Sequence, residues 1–572
     1  MVETNLLQKA KDLESDVFKD LYSRMDKDRD LVNLSKYEMT DLNNKAIKDV
    51  INVTLNKPAV FAANVETALS SSSEQVYVDT EDEKLDTDEI ADFVRSGFRA
   101  ADLRQSIRGK FPLNPFFDQQ MCRRGRGAAR VLWRIEDVVE EGQKKTQIVP
   151  DITPWDSRYL SYEMGEEGLS FASYHTVRRA DAIKAQYPEA KVKKSGDVFD
   201  IWTPETNEIY VEGNKVYDQA NPYGYVPVCV QVVTLGSMLA DKDNMEYEGE
   251  SIFFLIRDLI PEFNRVISIL ASLNFKTLKA HMIEKRSDTN AEPSDYDEVT
   301  SSGGTSVYGT DEGIAPLNLG DVKNSTIYLL NEMNKAIQQG SLEILDVGSL
   351  PGPLSAVALI ELAEGQDQIF LPRLGARGLL NTQIAEMFIR QTIASGINKV
   401  ELGVPGHKRE FDVAKLKGDY EIGFNYFIKS PKVDVARYSM AQNALAFGID
   451  RLTVYKDILQ SEDPEGMLRR YYWDMAEKIS PSVLQTRTIK ALSELADDGD
   501  DEAGFEAEIM SEEMGLDLEK IIAGEYQKRE QPQLQTKETQ NLLPLLSEGG
   551  QTSAKKAAQL QAEPKGSEVS GE

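Results

Sequence analysis

The chain is poor in the residues that most enzyme centres and secreted frameworks depend on. Two cysteines in 572 residues, Cys122 and Cys229, allow at most one disulfide, and the reading is of two reduced thiols in a cytosolic protein. Three histidines, His175, His281 and His407, lie far apart, which leaves no HExxH and no His-rich zinc centre; each reads as structural, and no metal or cofactor is expected. The only Gly-Lys pair is Gly109-Lys110, with Arg104 where a phosphate loop needs its first glycine and Phe111 where it needs Ser or Thr, so an ATPase is not expected. No GxSxG elbow occurs. The run Asp26-Lys-Asp28-Arg-Asp30 starts like a calcium loop, but Leu31 replaces the turn glycine and Tyr37 the bidentate Glu, so it reads as a solvated helix face. Long apolar runs are missing too. The richest window, residues 251–280, holds Arg257, Asp258, Glu262 and Arg265, which excludes a membrane span, and the opening MVETNLLQKAKDLESD has no apolar core of a signal peptide. Bases are the scarcer charge, 65 against 95 acids, for a net charge of −30 and a pI near 4.7. That balance argues against a protein that coats duplex DNA, because such binding depends on Lys and Arg displacing counterions.

What is present is a long chain with several distinct patterns. Leu6, Ala10, Leu13, Val17 and Leu21 recur at helical spacing, and Leu42, Ile47, Val50, Ile51 and Val53 open a second apolar stretch, also read as helical. A helix is expected around residues 90–105. After Cys122 the period changes to two: Val131, Trp133 and Ile135 alternate with polar residues, Glu141-Gly142 supplies a turn, and residues 146–152 continue as a second strand. Residues 199–202, 208–211 and 215–217 repeat the pattern, with Glu212-Gly213-Asn214 as another turn, and residues 226–233 close a largely antiparallel region.

A stripe of Ile252, Ile256, Leu259, Phe263, Val266, Leu270 and Leu273 follows at steps of three and four, with Pro261 expected to kink it or begin a new first turn. Residues 287–319 are polar and turn-rich. A second helix is expected over residues 325–345, with Ile327, Leu330, Met333, Ile337 and Ile344 on one side and Asn324, Asn331, Lys335 and Gln338 on a polar face. It stops at Val347-Gly348-Ser349-Leu350-Pro351-Gly352-Pro353, where paired glycines and prolines cannot continue a helix. A very long helical pattern runs over residues 354–393, with bends expected at Gly365, Pro372, Gly375 and Gly378. Residues 420–428 alternate like a strand, residues 433–495 return to helix, and from Asp497 to Glu519 there is no Lys or Arg. The remainder reads as largely disordered.

The stretches FDQQMCRRGRGAARVLWRIE (117–136) and VPDITPWDSRYLSYEMGEEG (149–168), with the order sheet, long helix, polar insert, second long helix, Gly/Pro loop and very long helix, resemble the portal proteins of tailed double-stranded DNA bacteriophages. The resemblance spans roughly residues 20–500. It implies an α+β fold: a mixed wing over residues 1–250, stem helices at 251–280 and 325–346, a clip at 281–324, a tunnel loop at 347–353, a long wing helix and returning strand at 354–432, and a helical crown at 433–496. An acidic, then polar tail at 497–572 is not part of it.

The same resemblance implies a structural ring of twelve copies at one capsid vertex, in the virion and, during assembly, in the host cytoplasm. Double-stranded DNA would pass through the ring. Terminase large subunit and head-tail adaptor would dock on the clip, and major capsid and scaffolding proteins would surround it; no membrane is involved. Val347 to Pro353 would face the DNA, Asn331, Lys335 and Gln338 would line the channel, and Ile256, Phe263, Leu270, Ile327, Leu330 and Ile337 would meet the next subunit. Arg123, Arg124, Arg126 and Arg130 form the densest basic cluster, for which ion pairing is expected over duplex binding. The alternatives are an acidic helical scaffold or assembly protein and, less favoured, a Mg²⁺-dependent nucleic-acid-processing enzyme.

Overall fold

The computed structural model describes residues 5–82, 84–140, 143–237, 239, 241, 244–278, 282–285, 313–316, 324–341, 356–427, 431–461, 463–497 and 501–514. The described chain is mixed α and β, and it divides into a large unit, Met1–Leu468, and a second, Arg469–Glu572.

The chain opens with helix α1 (Leu6–Asp12), capped by the Asn5 side chain, and helix α2 (Lys19–Val32). Between them Leu13–Val17 form a π-helical turn, closed by the Phe18 N–H donating to the Leu13 carbonyl at 3.0 Å. The widened turn rotates the apolar face by one position. Val17, expected on the stripe, is exposed, and Phe18 is buried in its place with Leu21, Tyr22 and Met25 against Trp155 and Tyr162. The second apolar stretch is not a helix either: residues 33–56 form turns and extended chain, with Leu42 100% exposed. A helix does form at α3 (Lys57–Ser70), begun by Pro58 in its first turn. It leads to strand β1 (Ser73–Asp79), helix α4 (Thr87–Ile107), capped by Asp86, and helix α5 (Leu113–Arg123).

The alternating segments are strands. β2 (Arg126–Glu140) and β3 (Gln143–Trp155) form a hairpin in which Glu140 pairs with Gln143, and β2 also pairs with β9 (Val228–Val232), giving the order β3-β2-β9. A separate meander runs β4 (Leu160–Gly165), β5 (Gly168–Arg179), β6 (Ser195–Trp202), β7 (Thr206–Val211) and β8 (Asn214–Ala220), with helix α6 (Ala180–Gln186) between β5 and β6. Between β7 and β8, Glu212 and Gly213 take φ of 49° and 81°, the left-handed pair whose twist suits a two-residue hairpin.

Helix α7 (Leu259–Leu278) begins later than the stripe suggests. Residues 252–258 are turns that still bury Phe253 and Ile256, and Pro261 sits in the first helical turn, where its missing N–H costs no hydrogen bond. Strands β10 (Met282–Lys285) and β11 (Gly313–Pro316) pair antiparallel, helix α8 spans Asn324–Gln339, and helix α9, Ala356–Ala394, runs for 39 residues through Pro372. The main core gathers α4, α5, β2, β9 and α9; Phe388 stacks on Trp133 with centroids 4.7 Å apart. Strand β12 (Glu421–Phe427) pairs with β1 and passes so near α9 that a Cβ on Gly378 would lie 3.0 Å from the Phe424 carbonyl oxygen. The second unit includes the helices Pro481–Asp497 and Asp501–Met514, and Arg487 there pairs with Glu477 at 2.7 Å.

Asp28, read as part of a solvated face, is fully buried. Arg257 donates to both its carboxylate oxygens, at 2.6 and 2.9 Å, and to Glu250 at 2.7 Å. Both cysteines are free and buried, and burial pushes each thiol well above its usual range.

His175 ties the N-terminal turn to the meander. Its Nδ1 lies 3.0 Å from Glu14 Oε2, its Nε2 3.4 Å from Asp197 Oδ1, and its ring stacks on Phe199 at 4.1 Å. Burial opposes the imidazolium, but Glu14 and then Asp197 outweigh it and raise the group above 6.5. A raised histidine adds stability that is whole below about pH 6.5 and is lost as pH climbs through its folded value. The difference in melting temperature between the native chain and His175→Gln should therefore shrink from about pH 6 to about pH 9; a constant difference would show that the imidazole contributes only its packing.

Candidate subunit-association surface

The apolar side of α7 meets the chain itself before it can meet anything else. Helices α7 and α8 pack together, and Gly340, just past α8, allows a close approach: a Cβ there would lie 2.7 Å from the Ile256 side chain. Ile256, Phe263 and Ile337 are buried in one cluster with Phe61, Val65 and Leu69 of α3 and Phe370 and Leu374 of α9. These three were expected at a subunit interface; within the single chain they are buried in its own core, where α3 and α9 cover the stripe. Leu270 and Leu330 are half-buried, and Ile327 alone of the six is exposed.

A second face of α7 is also covered. The extended segment before α3 lies along it, with the backbone N–H groups of Ile51, Val53 and Leu55 donating to Ser272 Oγ at 2.8 Å, Ser268 Oγ at 2.9 Å and Asn264 Oδ1 at 3.1 Å. Three polar side chains one helical turn apart thereby satisfy alternate donors of an extended chain.

The apolar side chains left open near this helix pair are others: Phe254 and Leu255 in the preceding turns, Ile269 and Phe275 on α7, and Ile327, Tyr328 and Leu329 on α8, with Tyr328 67% and Leu329 49% exposed. The sequence holds a signal for the last group. Residues 327–330 are Ile-Tyr-Leu-Leu, and at about 100° per residue four consecutive apolar positions sweep roughly 300° of a helix, too wide an arc for one neighbour to cover.

Of the polar residues assigned to a channel, Asn331 and Lys335 are exposed and Gln338 is half-buried. Beside them Lys57, from α3, contacts Asn334 and stands 4.8 Å over the Phe263 ring, and burial lowers its ammonium below the ordinary lysine range. The loop from Val347 to Pro353, and the clip apart from β10 and β11, lie outside the described residues, as do His281 and the segment 515–572.

The basic cluster is absorbed by ion pairs within the chain. Arg123 meets Glu66 at 2.6 Å, Arg124 meets Asp156 at 3.4 Å, Arg126 meets Glu248 at 3.4 Å and Arg130 meets Asp200 at 2.6 Å. Among the described residues no group of three or more His, Cys, Asp and Glu side chains is placed to hold a metal ion, and no helix is long and apolar enough to cross a membrane.

No protein-family model matches the chain, and no curated protein matches it. Solved structures of gene transfer agent particles do. The neck of an empty particle, computed with C6 symmetry, is similar at TM-score 0.36 and 11% identity over 70% of this chain and 89% of that one. The neck of the native particle, computed with C12 symmetry, gives TM-score 0.35 at 11% identity with the same coverage, and the virion of the native particle gives 0.37, again at 11% identity, 70% and 89%.

Proposed function

We propose that the chain is a structural, ring-forming portal protein of a tailed-virus head, through which double-stranded DNA is packaged and ejected, and that it performs no chemistry of its own. The observation that supports this reading is the pair α7 and α8. Its inner stripe is filled by the subunit's own core, yet it still holds out Ile269, Phe275, Ile327, Tyr328 and Leu329 to water. Apolar side chains gathered on one helix pair mark an association surface, and a closed ring needs a patch of this kind to meet a different patch on the next copy. Twelve copies, with terminase large subunit and the head-tail adaptor at the insert between the helices and capsid and scaffolding proteins around the wing, complete the reading. Lys335 and Asn331, exposed on α8, are the side chains offered to the channel. A chain this acidic suits a wall that DNA slides along, since a densely basic bore would hold the duplex by counterion release.

Tyr328→Asp combined with Leu329→Asp places two charges on this surface without touching the core. The native chain should run as rings by light scattering and negative-stain microscopy, and the double variant as a monomer with an unchanged circular dichroism spectrum and a melting point within a few degrees. A native chain that stays monomeric at micromolar concentration, with no rings on the grid, would refute the proposal.

A further inference from the structure

A second feature lies away from the helix pair. Between the β2–β3 hairpin and the meander is a cleft of about 1280 Å³, lined from both sheets. In a chain of net charge −30 its lining is basic: Arg108, Lys110, Arg130, Arg134 and Arg178 against Asp151, Asp200 and Glu189. Asp151, fully buried, is a single negative charge that contacts Arg134 and lies 3.1 Å from Arg108, 3.6 Å from Arg104 and 3.9 Å from Arg130. Arg130 also takes Asp200, at 2.6 Å, and Glu189 is exposed at the rim. Lys110 makes no ion pair among the described residues, and Arg178 bonds only to neutral groups, Thr176 Oγ1 and Gln186 Oε1, both at 3.0 Å.

The electrostatics agree with the geometry. Burial works against the Asp151 carboxylate, but the surrounding guanidiniums, Arg134 first, hold it below the usual carboxylate range. Burial and then Arg108 push Lys110 below the usual lysine range, while Asp151 acts the other way.

A further feature fits a ligand. Tyr174, Tyr187 and Tyr217, each half-buried, offer ring faces, the first stacked on Trp155 with centroids 4.6 Å apart. Guanidinium and ammonium groups only donate, and phosphate oxygens only accept. The volume is far greater than a lone phosphate needs, and aromatic faces select a planar partner.

We propose that this cleft binds a nucleoside phosphate, its phosphates held by Lys110, Arg178 and the Asp151-anchored arginines and its base against the tyrosine rings. The assignment does not depend on ring assembly. An acidic segment, such as residues 497–519 of another copy, would match the charge but leave the aromatic faces unused.

The test is calorimetric titration of the full chain with adenosine diphosphate, inorganic pyrophosphate and adenosine, at low and at physiological salt. Adenosine diphosphate should bind at micromolar concentration, pyrophosphate at least tenfold more weakly, and adenosine undetectably, with affinity falling as salt rises. Lys110→Ala and Arg178→Ala should each weaken binding about tenfold or more, and Lys110→Arg should restore it. Circular dichroism on each variant separates a lost site from a lost fold. The proposal fails if neither diphosphate nor pyrophosphate binds, if binding is unchanged in both cation variants, if pyrophosphate equals the nucleotide, or if a 497–519 peptide binds where nucleotides do not. Microscopy of the same preparations reports ring formation separately, so failure of the cleft and failure of the portal reading are distinguishable.

Discussion

Replacing Arg377 with Met is expected to lower the unfolding free energy by about 3–5 kcal/mol, the cost of leaving a buried charge without its partner. Arg377 lies on α9 in the middle of the main core. Its guanidinium donates to Asp118 Oδ1 at 2.6 Å and to Ser72 Oγ at 3.0 Å, and it lies 3.8 Å from the Tyr426 ring centroid. The Arg377 and Asp118 side chains are 3% and 2% exposed. Burial pushes the Asp118 carboxyl up and the guanidinium opposes it, so without Arg377 the acid must take a proton or sit charged in a nearly dry site. Removing both charges, as Arg377→Met with Asp118→Asn, should recover more than half of the loss in urea unfolding. A double variant no more stable than the single one would mean that the arginine acts through packing on Tyr426 rather than through the ion pair.

Gly125→Ala should be more damaging still and yield no soluble folded chain. Gly125 joins α5 to β2 with φ +73°, and a Cβ there would stand 1.9 Å from the Gly249 carbonyl oxygen and 2.5 Å from its carbon. Gly249 has φ +70° and would collide in return, its Cβ 2.7 Å from the Gly125 carbonyl oxygen. Backbone cannot yield as a flexible side chain can, and Arg24 fixes the crossing by donating to the carbonyls of Gly249 at 2.8 Å and Arg124 at 3.3 Å. Gly109→Ala is the control. Its φ is +68°, but nothing lies within 4 Å of the added carbon, so it should cost only the backbone strain, about 1 kcal/mol. Equal soluble yield and equal urea midpoints for the two variants would show that the crossing has room to relax.

What could be read in the sequence was local. Alternation at Val131, Trp133 and Ile135 and the turn Glu212-Gly213 are set by neighbours within a few residues, and the strands and the hairpin turn form where that pattern lies. Features decided by distant partners were not readable. Asp28 looks like one charge in a solvated run until Arg257, more than two hundred residues later, is seen against it. The stripe residues Ile256, Phe263 and Ile337 have the spacing of an interface, and only the placement of α3 and α9 shows that the chain's own core covers them. Val17 and Phe18 exchange roles because one π-helical turn shifts the phase, which spacing alone does not reveal. The cleft was the least visible feature, since Lys110, Arg134 and Arg178 sit on different elements and only the sheet topology brings them to one wall. The Gly/Pro loop, easily noticed in the sequence, lies outside the described residues.

The strap along α7 behaves like two rulers with different graduations. Two residues of extended chain advance about 6.7 Å, and four residues of helix about 6.0 Å, so matched contacts drift by roughly 0.7 Å at each step. Three bonds span two steps, and the drift of about 1.4 Å is still within what side-chain rotamers absorb. The next graduations on the helix are Ile260 and Lys276, neither of which has a side-chain acceptor. The ladder therefore ends where arithmetic and chemistry both stop supporting it, and inserting a single residue between Ile51 and Leu55 would put the bonds on its two sides out of phase with each other.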